Sequence, residues 1–312
     1  MVTYTPALGY TNLTAILNGK ANATLGEKNF GLAYTESKSD EWGRPYYVWY
    51  DARDTKDGKY VALTSTLYAT VKATPVKTYT EAVTECQVAA DYGFKATKEF
   101  TVYTNGVDNS AKQTLNAINT VNKIGDQGRL TEVYDDTIVM IDTLLAKVTK
   151  VTAPTYDAAG HLRTEATLSL VVYDAGAGHA VDVTNGEDAW DYAKDEYVLV
   201  YAVQNSRSEV ITTGAKKHIE VLNVAKSIEG SQTNIWVNAN QHTVNGTTYN
   251  DNNRYLLNQA ANDSTKNYTW FFDNNDNLIG SASIAASYSY AVLKSMVWVR
   301  AHWGQAGSAL AT

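Results

Sequence analysis

The amino-acid sequence predicts an all-β, mainly antiparallel protein built from several small sandwich-like or barrel-like modules, with one short helix near residues 110–124. Three observations favour this fold class. Short apolar or alternating runs end at turn dipeptides such as Asn18-Gly19, which favour tight hairpins. Tyrosine and tryptophan, present in 22 and 7 copies, are good strand formers. The third observation is a hairpin-like stretch at 267–284 that has a counterpart at 46–63.

The two hairpin-like stretches indicate an internal duplication. Each contains a tyrosine, one further residue, a tryptophan and an aromatic residue, followed by an Asp-rich turn and a second strand. Asn18-Gly19 likewise recurs as Asn245-Gly246. These landmarks lie about 220 to 230 residues apart, far above the roughly 20–50 residues of solenoid and propeller repeats. We therefore predict a multi-part unit that is reused along a longer polypeptide.

The first predicted module covers residues 1–75 and forms the end of one repeat unit. An apolar run at 13–17 leads into Asn18-Gly19, and the hairpin at 46–63 follows. A further strand at 65–73 precedes Pro75, which closes the module because proline cannot donate to a sheet ladder.

The second predicted module covers residues 76–151 and contains the helix. Residues 98–103 alternate with a period of two, which predicts a strand. Apolar residues at three- and four-residue spacing between 108 and 124 predict a helix, against the alternative of a loop with one helical turn. The segments 130–134 and 137–151 are predicted to be a pair of strands.

The third and fourth predicted modules cover residues 152–225 and 226–312. In the third, the almost continuous apolar run at 197–203 predicts a central strand that is covered on both faces. The fourth resembles the first, with a hairpin turn at Asn245-Gly246, the hairpin at 267–284, a strand at 290–299 and a C-terminal tail.

Composition and charge exclude several functions. A formal net charge of −7 and a pI near 5.3 argue against a nucleic-acid partner, which requires clustered lysine and arginine. No apolar run reaches about 18 residues, so we predict no membrane insertion. The lone cysteine, Cys86, cannot form an internal disulfide, and we expect it to be a small apolar core residue. So few thiols are typical of a cytosolic protein or of a bacterial surface protein.

Four segments resemble a known family. They are residues 130–134 (LTEVY), 141–148 (IDTLLAKV), 192–200 (YAKDEYVLV) and 268–273 (YTWFFD). Their order resembles the extracellular regions of S-layer homology domain-containing proteins, which are surface proteins of Gram-positive bacteria. The helical anchoring modules of that family are not among these segments. The resemblance implies a secreted, wall-associated array of β-domains with surface-layer or adhesive roles.

We predict no enzyme activity. The five histidines show no zinc-ligand spacing, and no Gly-x-Ser-x-Gly motif occurs. A glycan-active enzyme is a remote alternative, since it would need two carboxylates about 5 to 9.5 Å apart in a cleft. No cofactor is expected, with calcium as the alternative. Asp273 and Asp276 would supply its hard oxygen ligands, although turn chemistry also explains these residues.

The candidate ligand-binding residues are aromatic: Trp42, Tyr47, Trp49 and Trp270. Alternation along a strand places Tyr47 and Trp49 on one face. Such a face can stack on sugars, or it can pack one sheet against another.

The predicted function is structural. We expect a segment of a secreted bacterial cell-surface protein that acts as a spacer or lateral packing module in a surface layer or cell wall. The alternative is an adhesive module that binds carbohydrate or glycoprotein through exposed tryptophan and tyrosine faces. The expected partners are neighbouring copies of the protein or glycans of the cell wall or host.

Overall fold

Strands dominate the part of the chain that the structure describes, which confirms the predicted all-β fold class. The computed structural model describes residues 32–51, 55–56, 59–60, 67–95, 97–122, 124–174, 177–236, 240–256, 266–284, 296–299 and 308–311. The predicted elements at 13–19 and most of the predicted strand at 290–299 lie outside these residues. No helix in the described ranges is long and apolar enough to cross a membrane.

The first sheet has three antiparallel strands in the order β1-β2-β5. The strands before residue 75 are β1 (Leu32–Ser39), β2 (Pro45–Asp51), β3 (Thr55–Lys56), β4 (Lys59–Tyr60) and β5 (Leu67–Lys72). The predicted hairpin at 46–63 differs from the observed pairing, since β2 pairs with β1 and β5 while β3 and β4 pair with each other. The Asp-rich stretch therefore leads into a small ladder of its own.

The second sheet is mixed and carries the helices. Its strands are β6 (Lys77–Tyr79), β7 (Glu99–Thr104), β8 (Val107–Asp108), β9 (Gln113–Thr114), β10 (Leu130–Val133) and β11 (Thr137–Ile141). The order is β6-β10-β11-β7-β8, with β9 also on β7, and β11 runs parallel to β7. Every residue of β11 is buried, because helices cover one face of the sheet and Trp42 and Val203 cover the other.

Two α-helices lie in the described part of the second module, α1 (Glu85–Tyr92) and α2 (Leu115–Asn122), together with a short 3₁₀ turn (Asp126–Gly128). The predicted helix between 108 and 124 corresponds to α2, but it starts later because β8 and β9 use the preceding residues for pairing with β7.

The sequence analysis missed α1. Its first turn is capped by the Thr84 hydroxyl, which accepts a hydrogen bond from the backbone N–H of Gln87 at 3.2 Å. The prediction that Cys86 is a core residue is wrong, because this helix turns Val88 towards the core and leaves Cys86 exposed.

The third sheet is antiparallel throughout, in the order β16-β15-β12-β17-β18. The strands of this region are β12 (Leu144–Thr152), β13 (Thr155–Tyr156), β14 (Leu162–Thr164), β15 (Thr167–Asp174), β16 (Ala177–Thr184), β17 (Tyr197–Ala202) and β18 (Ile219–Val224). The predicted module boundary between 151 and 152 falls inside β12. The sheet begins at Leu144 because this strand continues unbroken between β15 and β17.

The fourth sheet follows directly, in the order β19-β23-β24-β22-β21-β20. Its strands are β19 (Lys226–Gly230), β20 (Gln232–Trp236), β21 (Gln241–Val244), β22 (Thr247–Leu256), β23 (Tyr268–Phe272) and β24 (Leu278–Ser283). The stretch at 267–284 forms an antiparallel hairpin as predicted. Further on, β25 (Met296–Val299) pairs with β26 (Ser308–Ala311).

The third and fourth sheets pack face to face. Leu145 and Leu199 of the third sheet meet Phe271 and Ile279 of the fourth in one buried cluster. Gly280 allows this approach, since a Cβ there would lie 2.9 Å from the Leu145 side chain. The third and fourth sheets are therefore in direct contact through apolar side chains. The predicted division into four modules stays a prediction.

Candidate functional site

The predicted aromatic face is not an exposed row. Trp42 and Trp270 each have 0% of their surface exposed. The indole N–H of Trp42 donates to Glu220 at 2.8 Å, and that of Trp270 donates to the backbone oxygen of Gly230 at 2.9 Å. Both rings serve as core residues between elements, so this part of the prediction is corrected.

The other two members of the predicted face lie on β2. Tyr47 pairs with Ser37 and Val71 in the sheet register, and Trp49 occupies the same strand two residues later. Their side chains lie outside the described part of the structure.

The two predicted calcium ligands make different contacts in the structure. The buried Asp273 carboxylate accepts hydrogen bonds from the backbone N–H groups of Asn275 and Asn277 at 2.8 and 2.9 Å, and from the Asn252 amide at 2.6 Å. Asp276 forms an exposed ion pair with Lys226 at 2.8 Å. Among the described residues, no group of three His, Cys, Asp or Glu side chains could hold a metal ion.

A buried ionic cluster, which we call the central junction, joins three sheets. Asp142 lies between β11 and β12 and is 1% exposed. Its two carboxylate oxygens bind the Nε atoms of Arg129 at 2.6 Å and Arg254 at 2.9 Å. Arg129 precedes β10 of the second sheet, and Arg254 lies on β22 of the fourth. The Asp142 carboxylate therefore binds an arginine that is 112 residues away in the sequence.

The electrostatics of the central junction favour a permanently ionised Asp142. Burial by itself would raise the pKa of this carboxyl group. The positive charges of Arg129 and Arg254, with the hydrogen bond from Asn105, outweigh burial and hold the pKa well below its usual range.

Polar side chains complete the central junction. Asn105 donates from its amide to Asp142 at 2.8 Å and to the Gln204 side-chain oxygen at 2.9 Å. The Gln204 amide donates to Asp174 at 3.0 Å, and Arg254 also binds Gln204 at 3.0 Å. Two carboxylates and two guanidinium groups balance one another, so the cluster holds no excess charge that would attract a ligand.

A second cluster, the hairpin junction, joins the first sheet to the second and third. Arg44 in the β1–β2 turn binds Glu132 of β10 at 2.7 Å and Glu220 of β18 at 3.3 Å. The hydrogen bond from His218, aided by Trp42 and Arg44, lowers the pKa of Glu220 to about 2 against the effect of burial. The same bond to Glu220 raises the pKa of His218.

Glycine contacts allow these junctions to close. Gly43 lies directly on the Tyr103 ring, since a Cβ at this position would be 2.1 Å from ring carbon atoms. Gly128, with φ of +91°, lies against the Asn252–Asp273 hydrogen bond, and a Cβ there would be 2.1 Å from the Asp273 carboxylate. Both positions need glycine because another element occupies the space of a side chain.

A groove of about 500 Å³ lies between the third and the fourth sheet. The sheets are in contact around Phe271, and Lys147, Thr269 and Ile284 also line the groove. Tyr197 stacks on Phe271 with ring centroids 4.2 Å apart. This groove, the intersheet groove, is lined by both apolar and polar residues.

Sequence reasoning missed both junctions and the intersheet groove. One signal for the central junction was present, because Asp142 and Thr143 interrupt an otherwise apolar run at 138–146. A polar pair inside such a run indicates a buried charge that needs partners. Nothing in the sequence identified the partners, which come from three other elements.

Known proteins provide no assignment for this arrangement. The chain matches no protein-family model, no curated protein and no solved structure.

Proposed function

We propose that the chain is a rigid structural segment of an extracellular bacterial surface protein, acting as a spacer or lateral packing module. The observation that carries this proposal is the shortness and burial of the connections between sheets. Two residues, Asp142 and Thr143, join β11 to β12, and the single residue Ala225 joins β18 to β19. All three are buried, at 1%, 6% and 6% exposure. Flexible linkers are longer, exposed and polar.

The central junction strengthens this argument. Rotation of the second sheet against the fourth would break the contacts of Asp142 with Arg129 and Arg254. Breaking one partner of a buried pair costs about 3–5 kcal/mol, because the remaining charge is left without compensation. A body that resists bending suits a spacer, which has to hold other parts of a protein at a fixed distance.

The cellular location rests on the resemblance of four segments to S-layer homology domain-containing proteins. Its partners would then be neighbouring copies of the protein or glycans of the wall or host. We propose no catalytic role, since an arginine binds each carboxylate of the two junctions. Antibody labelling of intact cells of the producing bacterium tests the location, and labelling that appears only after lysis would contradict it.

Distance measurements between spin labels test rigidity. Cys86 is the lone cysteine and is exposed, so it accepts one label without a background. Tyr156→Cys and Thr247→Cys introduce a second label at exposed positions of β13, which follows the third sheet's β12, and of the fourth sheet's β22. We expect narrow distance distributions for both pairs, as rigid contacts require. Broad distance distributions in the chain with Asp142 unchanged would refute the rigid-spacer proposal.

The same labels test the cause of the rigidity. Asp142→Ala should broaden the distribution between Cys86 and position 247, because the two arginines lose their common partner. Glu187→Ala removes an exposed carboxylate of the third module and serves as the matched control. If Asp142→Ala leaves both distributions as narrow as the control does, the central junction is not what holds the sheets.

A further inference from the structure

The intersheet groove has the dimensions of a ligand site. Its volume of about 500 Å³ falls within the roughly 300–1,000 Å³ of small-molecule pockets, which occur preferentially where structural units meet. It lies away from both junctions, so it is not needed to hold the sheets together at those points.

The walls of the groove present hydroxyl and carboxylate groups from both sheets. Thr269, Ser227 and Ser283 supply hydroxyl groups from three strands of the fourth sheet. Glu229 on β19 supplies an exposed carboxylate. Asp195 faces them from the third module and forms an ion pair with Lys147 at 2.8 Å. These groups can both accept and donate hydrogen bonds along the length of the groove.

Apolar surface lies between these polar groups. Tyr197, Phe271 and Ala282 line the groove. Val224 and Ile284 also line it and are 46% and 37% exposed. They are two of the four large apolar residues that are exposed in the described part of the chain. Exposed apolar side chains gathered beside a groove indicate a surface that is covered by a ligand.

The charge of the groove restricts the ligand. Asp195, Glu196 and Glu229 line it with Lys147 as the one cation among its lining residues. The excess of negative charge repels phosphate, sulfate and uronic-acid groups. A neutral ligand avoids this repulsion and can still donate hydrogen bonds to the carboxylates.

We propose that the intersheet groove binds a neutral oligosaccharide. A pyranose ring carries hydroxyl groups around its edge and apolar C–H groups on its faces, which suits a lining that combines polar and apolar side chains. Its hydroxyl groups would bond to Glu229, Thr269 and Ser283, and its C–H faces would lie against Tyr197 and Ile284. A peptide segment would use the same apolar side chains, but it would leave most of the hydroxyl and carboxylate groups without partners.

Binding experiments with the intact chain test this proposal. The chain is applied to an array of neutral and uronic-acid-containing glycans, and the strongest neutral glycan is then measured by titration calorimetry. We expect saturable binding to neutral glycans and none to their uronic-acid analogues. An array without neutral binders, or one on which the acidic glycans bind equally well, overturns the proposal.

Substitutions then locate the site. Glu229→Ala and Ile284→Ser each alter an exposed side chain, so the fold should persist, and each should weaken binding about tenfold or more, as expected for a lost charged hydrogen bond or apolar contact. Glu187→Ala and Val76→Ser are the matched controls, since they alter an exposed carboxylate and a 59% exposed apolar residue outside the groove. Unchanged affinity in both groove variants, or equal losses in the controls, would place the binding elsewhere and reject the intersheet groove.

Discussion

At the scale of single residues, close contacts between elements matter more than the properties of any one side chain. Gly128 shows this clearly, because its Cα hydrogen points at the hydrogen bond between Asn252 of β22 and Asp273 of the β23–β24 turn. Asp273 shows it as well, since its carboxylate organises a turn on one side and receives Asn252 on the other. A residue in these positions has its identity fixed by neighbours that are distant in sequence.

The first prediction concerns Gly128. Gly128→Ala should lower the free energy of unfolding by about 2 kcal/mol or more, because a Cβ would overlap the Asp273 carboxylate and strain a positive φ. Gly160→Ala is the control, as Gly160 has φ of +85° with nothing within 4 Å of its Cβ position. Urea unfolding of both variants separates the loss of unfolding free energy due to the contact from the loss due to backbone strain. Equal losses in the two variants would show that the contact contributes nothing.

The second prediction concerns pH and Glu220. The folded-state pKa of Glu220 is lowered to about 2 from an ordinary value of 4.5. Its stabilising contribution is therefore fully present above about pH 4.5 and is lost as the pH falls towards 2. We expect Glu220→Gln to flatten the fall of unfolding free energy in this window, measured by urea unfolding at several pH values. A variant whose pH profile runs parallel to that of the parent chain would disprove the assignment.

At the scale of elements, predictability depended on whether the signal was local. The hairpin at 267–284 was predictable because its aromatic strand, Asp- and Asn-rich turn and returning strand are contiguous. The helix α2 was predictable from its spacing, but its start was not, since pairing of β8 and β9 with β7 decides that point. The helix α1 also has a local signal, because Thr84 and Gln87 form a capping-box pattern and Gly93 ends the helix in a left-handed conformation.

The third prediction concerns this cap. Thr84→Ala should destabilise the chain by about 1 kcal/mol, because the first turn of α1 loses the acceptor for the Gln87 N–H. Thr84→Ser keeps a hydroxyl group and should retain most of the stability. Hydrogen exchange of the α1 amides reports the local loss of stability in the helix. The global unfolding free energy is measured in parallel. Equal stability of the alanine and serine variants would show that the cap is irrelevant.

At the scale of the whole molecule, the fold class could be predicted and the assembly of the sheets could not. Alternation and turn residues are local and indicate strands directly. The central junction depends on Asp142, Arg129 and Arg254, whose approach results from the packing of complete sheets. The same packing buries Trp42 and Trp270, which their positions in aromatic clusters of the sequence had made candidates for a ligand face. The predicted duplication stays a prediction, although β2 and β23 each place a tryptophan on the middle of three antiparallel strands.

The fourth prediction concerns cooperativity. The most protected amide hydrogens of the second, third and fourth sheets should share one free energy of opening. We expect this because the junctions prevent one sheet from opening alone. Asp142→Ala should give at least two different free energies of opening, one for the amides of β11 and another for those of β24. Native-state hydrogen exchange followed by mass spectrometry measures both. Separate values already present in the parent chain would contradict the view of a single rigid body.

The joint at Ala225 has a consequence for how this chain can change. Its backbone N–H still donates to Tyr197 at 2.9 Å, and β19 starts at the very next residue. Side chains alternate between faces along a strand, so inserting one residue here would turn Ile228 from the side of Trp270 towards the intersheet groove. Glu229 would move the opposite way, into the core. This position can exchange one small residue for another, but it has no freedom to gain or lose one.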